Sequence, residues 1–306
     1  MDVGRGGGRV LRLTRDYEIT KGGFVEQGFL EDKLDQTGLE RDDNRFVLSL
    51  VPYEETTTYK KGTKRGPEAI VEASGHIELL DETLHIDASR HGIQTLRPDV
   101  TDLASITSHV SELSASGTGT LFGFLGGEHS ITPAILEGLH SGDIGIVWVD
   151  AHADLRKSFH GREDNHACAG RNSVRFGQLV QVGVRSLNAE EVEYLEQSDR
   201  VHCFRHWDNT ARNAVRALPK TVYLSIDLDG LSPTLMRAVG TPEPGGLSWE
   251  EMLDILDLVF KEKDVLAYDV VELCPQPDDV VSSYTAARLV YKVMAYHAFY
   301  KLREVS

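Results

Sequence analysis

The eleven residues Ile144–Asp154, IGIVWVDAHAD, decide how the rest of the chain is read. The first six are apolar or glycine without interruption, and then Asp and His alternate with Ala. A strand with one wet face alternates apolar and polar residues, whereas a strand covered on both faces stays apolar throughout. This stretch therefore predicts a buried strand whose carboxyl end carries acids and an imidazole.

Similar runs recur on both sides of it, at Arg45–Val51, Leu121–Leu125, Leu179–Val184, Val201–Phe204, Thr221–Ile226 and Val265–Val271. Helical patterns lie between them. Leu103, Ile106, Val110 and Leu113 share one face behind Thr101 as a cap, and Thr132-Pro133 reads as a cap followed by a first turn. Ser248 with Glu251 forms a capping box, and a final amphipathic helix runs from Ser283. Alternating strand and helix predict a three-layer αβα sandwich around a mainly parallel sheet. No Pro/Ser-rich linker or repeat divides the pattern. The reading is one domain over 44–306 behind a polar, Gly-rich extension over 1–43.

The chain has 306 residues, 32 basic against 48 acidic, for a formal charge of −16. Such a chain repels phosphate backbones and anionic lipid, so nucleic acid and membranes are excluded as partners, while a small cation is attracted. No apolar run is long enough to span a bilayer, and the first twenty residues lack a secretory apolar core, so a cytoplasmic protein is expected. Cys168, Cys203 and Cys274 are odd in number and widely spaced, and are read as buried free thiols.

In an open α/β sheet, ligands bind outside the carboxyl ends of the strands. Three such ends carry metal-ligating residues: Gly126-Gly127-Glu128-His129-Ser130, Asp150-Ala151-His152-Ala153-Asp154 and Asp227-Leu228-Asp229. Residues two apart in extended chain point the same way, so Asp150, His152 and Asp154 converge, as do Asp227 and Asp229. Carboxylates crowded into one crevice repel unless divalent cations neutralise them. Oxygen and imidazole donors without thiolate suit Mn²⁺ better than structural zinc. Two such ions would ionise a shared water. Each motif has a plainer reading on its own: an Asp or His at a strand end also caps helices, and paired glycines also serve turns.

Together with SIDLDGLSP (Ser225–Pro233), GTPEPGG (Gly240–Gly246) and DVVELCP (Asp269–Pro275), these motifs resemble the ordered series of the ureohydrolase family of arginases, agmatinases and related amidinohydrolases. The segment Pro52–Ile70 resembles its agmatinase-like branch. The resemblance implies an eight-stranded sheet, a homotrimer or homohexamer, and two Mn²⁺ per chain. One ion would be held by His129, Asp150, Asp154 and Asp227, and the other by Asp150, His152, Asp227 and Asp229. It also implies proton handling by Asp154 and His166, and pairing of Glu272 with the substrate guanidinium; Thr241 is a further pocket candidate. Seven strands are read directly, and the eighth is placed near His76–Leu80. Ser232 stands where the family usually has a further Asp. The resemblance implies hydrolysis of a guanidino group to urea and an amine. Ser186 after Gly183-Val184-Arg185, and Ala167 after His166, point to agmatine, cleaved to putrescine and urea, with Glu163 and Asp164 as candidates for its distal amine. The alternatives are another guanidino substrate (arginine, guanidinobutyrate, guanidinopropionate or aminopropylagmatine), a one-zinc deacetylase-like enzyme, or a catalytically silent member.

Overall fold

Strands β1 (Phe46–Val51), β2 (Ile93–Leu96), β3 (Leu121–Gly126), β4 (Ile144–Val149), β5 (Gly177–Val182), β6 (Val201–Phe204), β7 (Thr221–Asp227) and β8 (Asp264–Val271) pair in parallel in the order β2-β1-β3-β8-β7-β4-β5-β6. They belong to a computed structural model that describes residues 27–31, 33–34, 44–115, 119–139 and 142–302. The consecutive apolar positions serve two cores. On β1, Phe46, Leu48 and Leu50 face one, and Val47 and Val51 the other; on β4, Val147 and Val149 face the first, and Ile144, Ile146 and Trp148 the second.

Helices α1 (Gly66–Ser74), α2 (Leu103–Ser114), α3 (Ile131–Leu139), α4 (Ala169–Ser173), α5 (Ala189–Gln197), α6 (Asn209–Ala217), α7 (Trp249–Glu262) and α8 (Val280–Lys301) supply the outer layers. The core of Ile70, Val215, Ile255 and Val290 draws on α1, α6, α7 and α8. Ile106, Ile135 and Ala169 bring α2, α3 and α4 to the other face. The sandwich is the three-layer one expected.

Several local expectations are corrected. The eighth strand is β2 at Ile93–Leu96, not near His76–Leu80, where Leu80 makes only an isolated antiparallel bridge to Asp87. β2 is a short edge strand with one buried residue, so it lacks the apolar signature of its neighbours. The cap of α2 is Asp102, whose side chain accepts the Ser105 N–H, rather than Thr101. Thr132 lies inside α3 and gives its hydroxyl to Asp269, at 2.7 Å. The last helix starts at Val280, capped by Asp279. Ser248 and Glu251 form the expected box on α7. Cys168 and Cys274 are buried, but Cys203 is only half-buried.

Of the expected extension, residues 1–26, 32 and 35–43 lie outside those described. Phe29, Leu30 and Leu34 pack into the first core. The Phe29 N–H donates to Thr95 Oγ1 at 2.9 Å and the Leu30 N–H to Ser74 Oγ at 2.8 Å.

Candidate metal centre

The chain passes from β3 to β4 across the places of β8 and β7, so the loops after these four central strands meet at one crevice. Gly127 makes the first loop possible. A Cβ there would sit 2.0 Å from the Tyr53 carbonyl oxygen, and its N–H donates to Val51 O at 3.0 Å. His129 follows, fully buried, with its ring stacked on Trp148 at a centroid distance of 4.1 Å.

The two nitrogens of His129 have different company. Nε2 lies 2.8 Å from Ser225 Oγ, and that hydroxyl donates to Asp269 Oδ1 at 2.8 Å, so Nε2 carries the hydrogen. Among the described residues Nδ1 makes no hydrogen bond, yet it lies 3.1 Å from Asp227 Oδ2, 3.2 Å from Asp150 Oδ2 and 3.5 Å from Asp154 Oδ2. A buried lone pair aimed among three carboxylates is what a cation between them would use. His152 Nδ1 lies 3.0 Å from Asp229 Oδ2 and 3.7 Å from Asp150 Oδ1. His129, Asp150 and Asp227 thus form one donor group and Asp150, His152 and Asp229 a second, with the donor atoms of each within 4.8 Å. Oxygen and imidazole donors in two groups joined by Asp150 fit a pair of divalent cations.

Turns, more than extended spacing, bring these residues together. β4 stops at Val149, and Asp154 takes a left-handed φ of 53°. Asp229 lies in a 3₁₀ turn (Leu228–Gly230), its N–H bonded to Asp227 Oδ1 at 2.8 Å. Trp148 Nε1–H and the His152 N–H hold the two oxygens of Asp150 at 2.9 and 2.6 Å. The Ala151 N–H holds Asp229 at 3.0 Å.

Electrostatics reflect the crowding. Burial, reinforced by Asp150, pushes the Asp154 carboxyl well above the usual range, and burial with Asp229 and Asp150 does the same to Asp227. Burial would lower the pKa of His152, but the Asp229 and Asp150 carboxylates override it and raise it strongly. Burial also acts to raise Asp150, which His129 and His152 nonetheless hold well below the usual range.

A cavity of about 260 Å³ opens beside this cluster and is lined by Asp154, His166, Asp227, Asp229, Thr241 and Glu272 among others. Glu272 also has a left-handed φ, of 67°. Its Oε1 accepts the His129 N–H at 2.8 Å, and burial pushes its carboxyl up to about 8. His166 lies half-buried in a 3₁₀ turn (His166–Cys168) beside Phe159. Lys60 and Arg156 are cations on the outer wall. Glu163 and Asp164 do not line the cavity; Asp164 pairs with Arg162 at 2.9 Å on the exposed surface. Ser232, too, stays off the cavity wall, its hydroxyl 2.9 Å from that of Thr234.

Sequence reading missed the residues behind the cluster: Trp148, Ser225, Asp269, Glu128 and Arg185. Arg185 donates to the carbonyls of Gly183, Asp229 and Glu243 at 2.8–3.0 Å, and so staples three loops of the crevice. All five lie inside stretches quoted above, and the plainest signal was Glu128, an acid fixed between the motif's glycine and its histidine.

Residues 44–296 match the model of the arginase family. The N(1)-aminopropylagmatine ureohydrolase of Synechocystis sp. is 35% identical over 279 residues, covering 83% of this chain and 89% of that protein. The agmatinase of Pyrococcus horikoshii is 34% identical over 267 residues, covering 84% and 93%. Among solved structures, the agmatine ureohydrolase of Thermoplasma volcanium superposes with a TM-score of 0.75 at 28% identity, covering 84% of this chain and 91% of that one. Because the matched span runs from just before β1 almost to the end of α8, the chain belongs to the arginase family.

Proposed function

We propose that this protein hydrolyses the guanidino group of agmatine, giving putrescine and urea. The observation that carries the reading is the meeting of His129, Asp150, His152, Asp154, Asp227 and Asp229 beside a cavity also lined by His166 and Glu272. His129, Asp150, Asp154 and Asp227 would hold one Mn²⁺, and Asp150, His152, Asp227 and Asp229 the other. Bound cations supply an activated water and stabilise negative charge developing on the reacting centre.

The chain's own residues do the rest. Glu272, ionised, pairs with the guanidinium and orients it, a geometry carboxylates suit well. Asp154 handles the proton beside the reacting carbon, and His166 passes a proton between the cavity and solvent. Thr241 contacts the substrate from the cavity wall. Ser186 lines the cavity where the arginase pattern places an acid as part of recognising a zwitterionic end, which favours a substrate without the α-carboxylate.

Aminopropylagmatine is the second reading. It is favoured by the name of the Synechocystis relative and by a cavity wall that continues to Thr57, Thr58 and Tyr59. The same family reading carries a homotrimer or homohexamer in the cytoplasm. The deciding experiment measures urea release from agmatine, aminopropylagmatine, arginine, guanidinobutyrate and guanidinopropionate, with Mn²⁺ and with chelator. Release from agmatine that requires Mn²⁺ is expected. Release from arginine alone overturns the assignment. Turnover of guanidinobutyrate ahead of agmatine would give tail recognition to Arg156 and Lys60 and overturn the amine-tailed substrate.

A further inference from the structure

Glu128 has no place among the expected ligands, yet it is wholly buried and fully engaged. Its Oε2 accepts the N–H groups of Glu55 at 2.7 Å and Thr56 at 2.6 Å. Its Oε1 accepts the hydroxyls of Ser130 at 2.6 Å and Thr56 at 2.7 Å. Thr56 then meets His166 twice: Oγ1 lies 3.0 Å from the backbone N–H and 2.9 Å from ring Nδ1.

Counting hydrogens settles the direction of this chain. A carboxylate only accepts, so the single hydroxyl hydrogen of Thr56 points to Glu128. The Thr56 oxygen is left with lone pairs alone. One receives the backbone N–H of His166, and the ring nitrogen facing the other must itself bear a hydrogen. We propose that Glu128 and Thr56 are positioning residues that hold neutral His166 as its Nδ1–H tautomer, so that Nε2 offers a lone pair to the cavity.

The clasp is built by two loops. Gly127 and Glu128 donate their N–H groups to Val51 O and Tyr53 O at 3.0 and 2.9 Å, while Glu128 holds the Glu55 and Thr56 N–H groups in return. The turn that carries metal-ligand candidate His129 thereby also sets the ring of His166. A ring in the other tautomer would face the cavity with a donor and would have to lose a proton before accepting one. The inference rests on the proposed reaction only in giving His166 the proton-carrying role.

Neutron diffraction from the perdeuterated full chain, loaded with Mn²⁺ and crystallised above neutral pH, locates these hydrogens without reference to activity. The expected result is one ring deuteron on His166 Nδ1 and a Thr56 hydroxyl deuteron directed at Glu128; any other pattern overturns the proposal. In urea-release kinetics, Thr56→Val is expected to lose about tenfold or more in kcat, with KM and metal content unchanged. Thr56→Ser, which keeps the hydroxyl, is expected to stay within about threefold of the natural protein. Equal activity in Thr56→Val, equal losses in both variants, or a loss confined to KM would each count against the tautomer. Should Thr56→Val fail to fold, the deuteron positions and Thr56→Ser decide. If the natural protein releases no urea from any guanidine, the reaction is wrong, and the deuterons alone judge His166.

Discussion

Ser225 Oγ lies 2.8 Å from His129 Nε2, joining strand β7 to the turn after β3 across 96 residues of sequence. The hydroxyl passes its hydrogen to Asp269, which also takes the hydroxyls of Tyr223 and Thr132, each at 2.7 Å. The His129 ring is thereby fixed with Nδ1 turned toward Asp150, Asp154 and Asp227.

Removing that hydroxyl frees the ring to turn. Ser225→Ala is expected to weaken divalent-cation binding by roughly ten- to a hundredfold. Competition with a chelating dye measures this, and an unaltered affinity would show that Ser225 does not orient the ligand.

Only ionised Glu272 can pair with a guanidinium. Burial holds its carboxyl up to about 8, so the pairing form grows as pH rises through that region and shrinks as pH falls. KM for the guanidine should therefore drop with rising pH in the natural protein and stay flat in Glu272→Gln. The variant's kcat/KM should be lower by roughly ten- to a hundredfold, the worth of a charged hydrogen bond.

Cations should also stabilise the fold. Burial and repulsion from Asp150 and Asp229 hold Asp154 and Asp227 away from their ordinary ionisation, and a bound cation relieves both. At a hundred times its Kd, a ligand adds about 2.7 kcal/mol. The melting temperature should rise with added Mn²⁺, fall with chelator, and respond less in Asp229→Asn. A melting curve indifferent to Mn²⁺ would count against the donor groups.

His297 reports acid sensitivity far from the crevice. Its ring packs edge-on to Phe46 and Phe260 at 5.9 and 5.8 Å, Nδ1 is buried without a partner among the described residues, and burial lowers its pKa to about 4. The unfolded chain, titrating near 6.5, binds the proton more readily than the folded one. Stability from this residue is complete above 6.5 and is lost as pH falls toward 4, by an amount on the order of 2–3 kcal/mol. Urea midpoints at pH 7 and pH 5 should differ less in His297→Phe than in the natural protein.

Sheet class, seven of the strands and the residue types at their ends were legible because burial on two faces writes a local pattern. The capping box at Ser248 was legible for the same reason: it acts between residues three apart. β2 was not, since an edge strand with a single buried residue leaves almost no trace. Thr101 and Thr132 were misread as caps because a hydroxyl does not announce its partner. Asp102 took the first role, and Asp269, distant in sequence, claimed the second hydroxyl.

By itself, the sequence determined which side chains stand where strands end, and hence the chemistry open to them. Tertiary structure alone decided their partners. The order that sets β8 and β7 between β3 and β4 brings Glu272 to the His129 N–H and Ser225 to the His129 ring. The left-handed turns at Asp154 and Glu272 aim both carboxylates into the cavity. The physical reason is range: burial and capping act between near neighbours in the chain, whereas these contacts exist only after the whole sheet has closed.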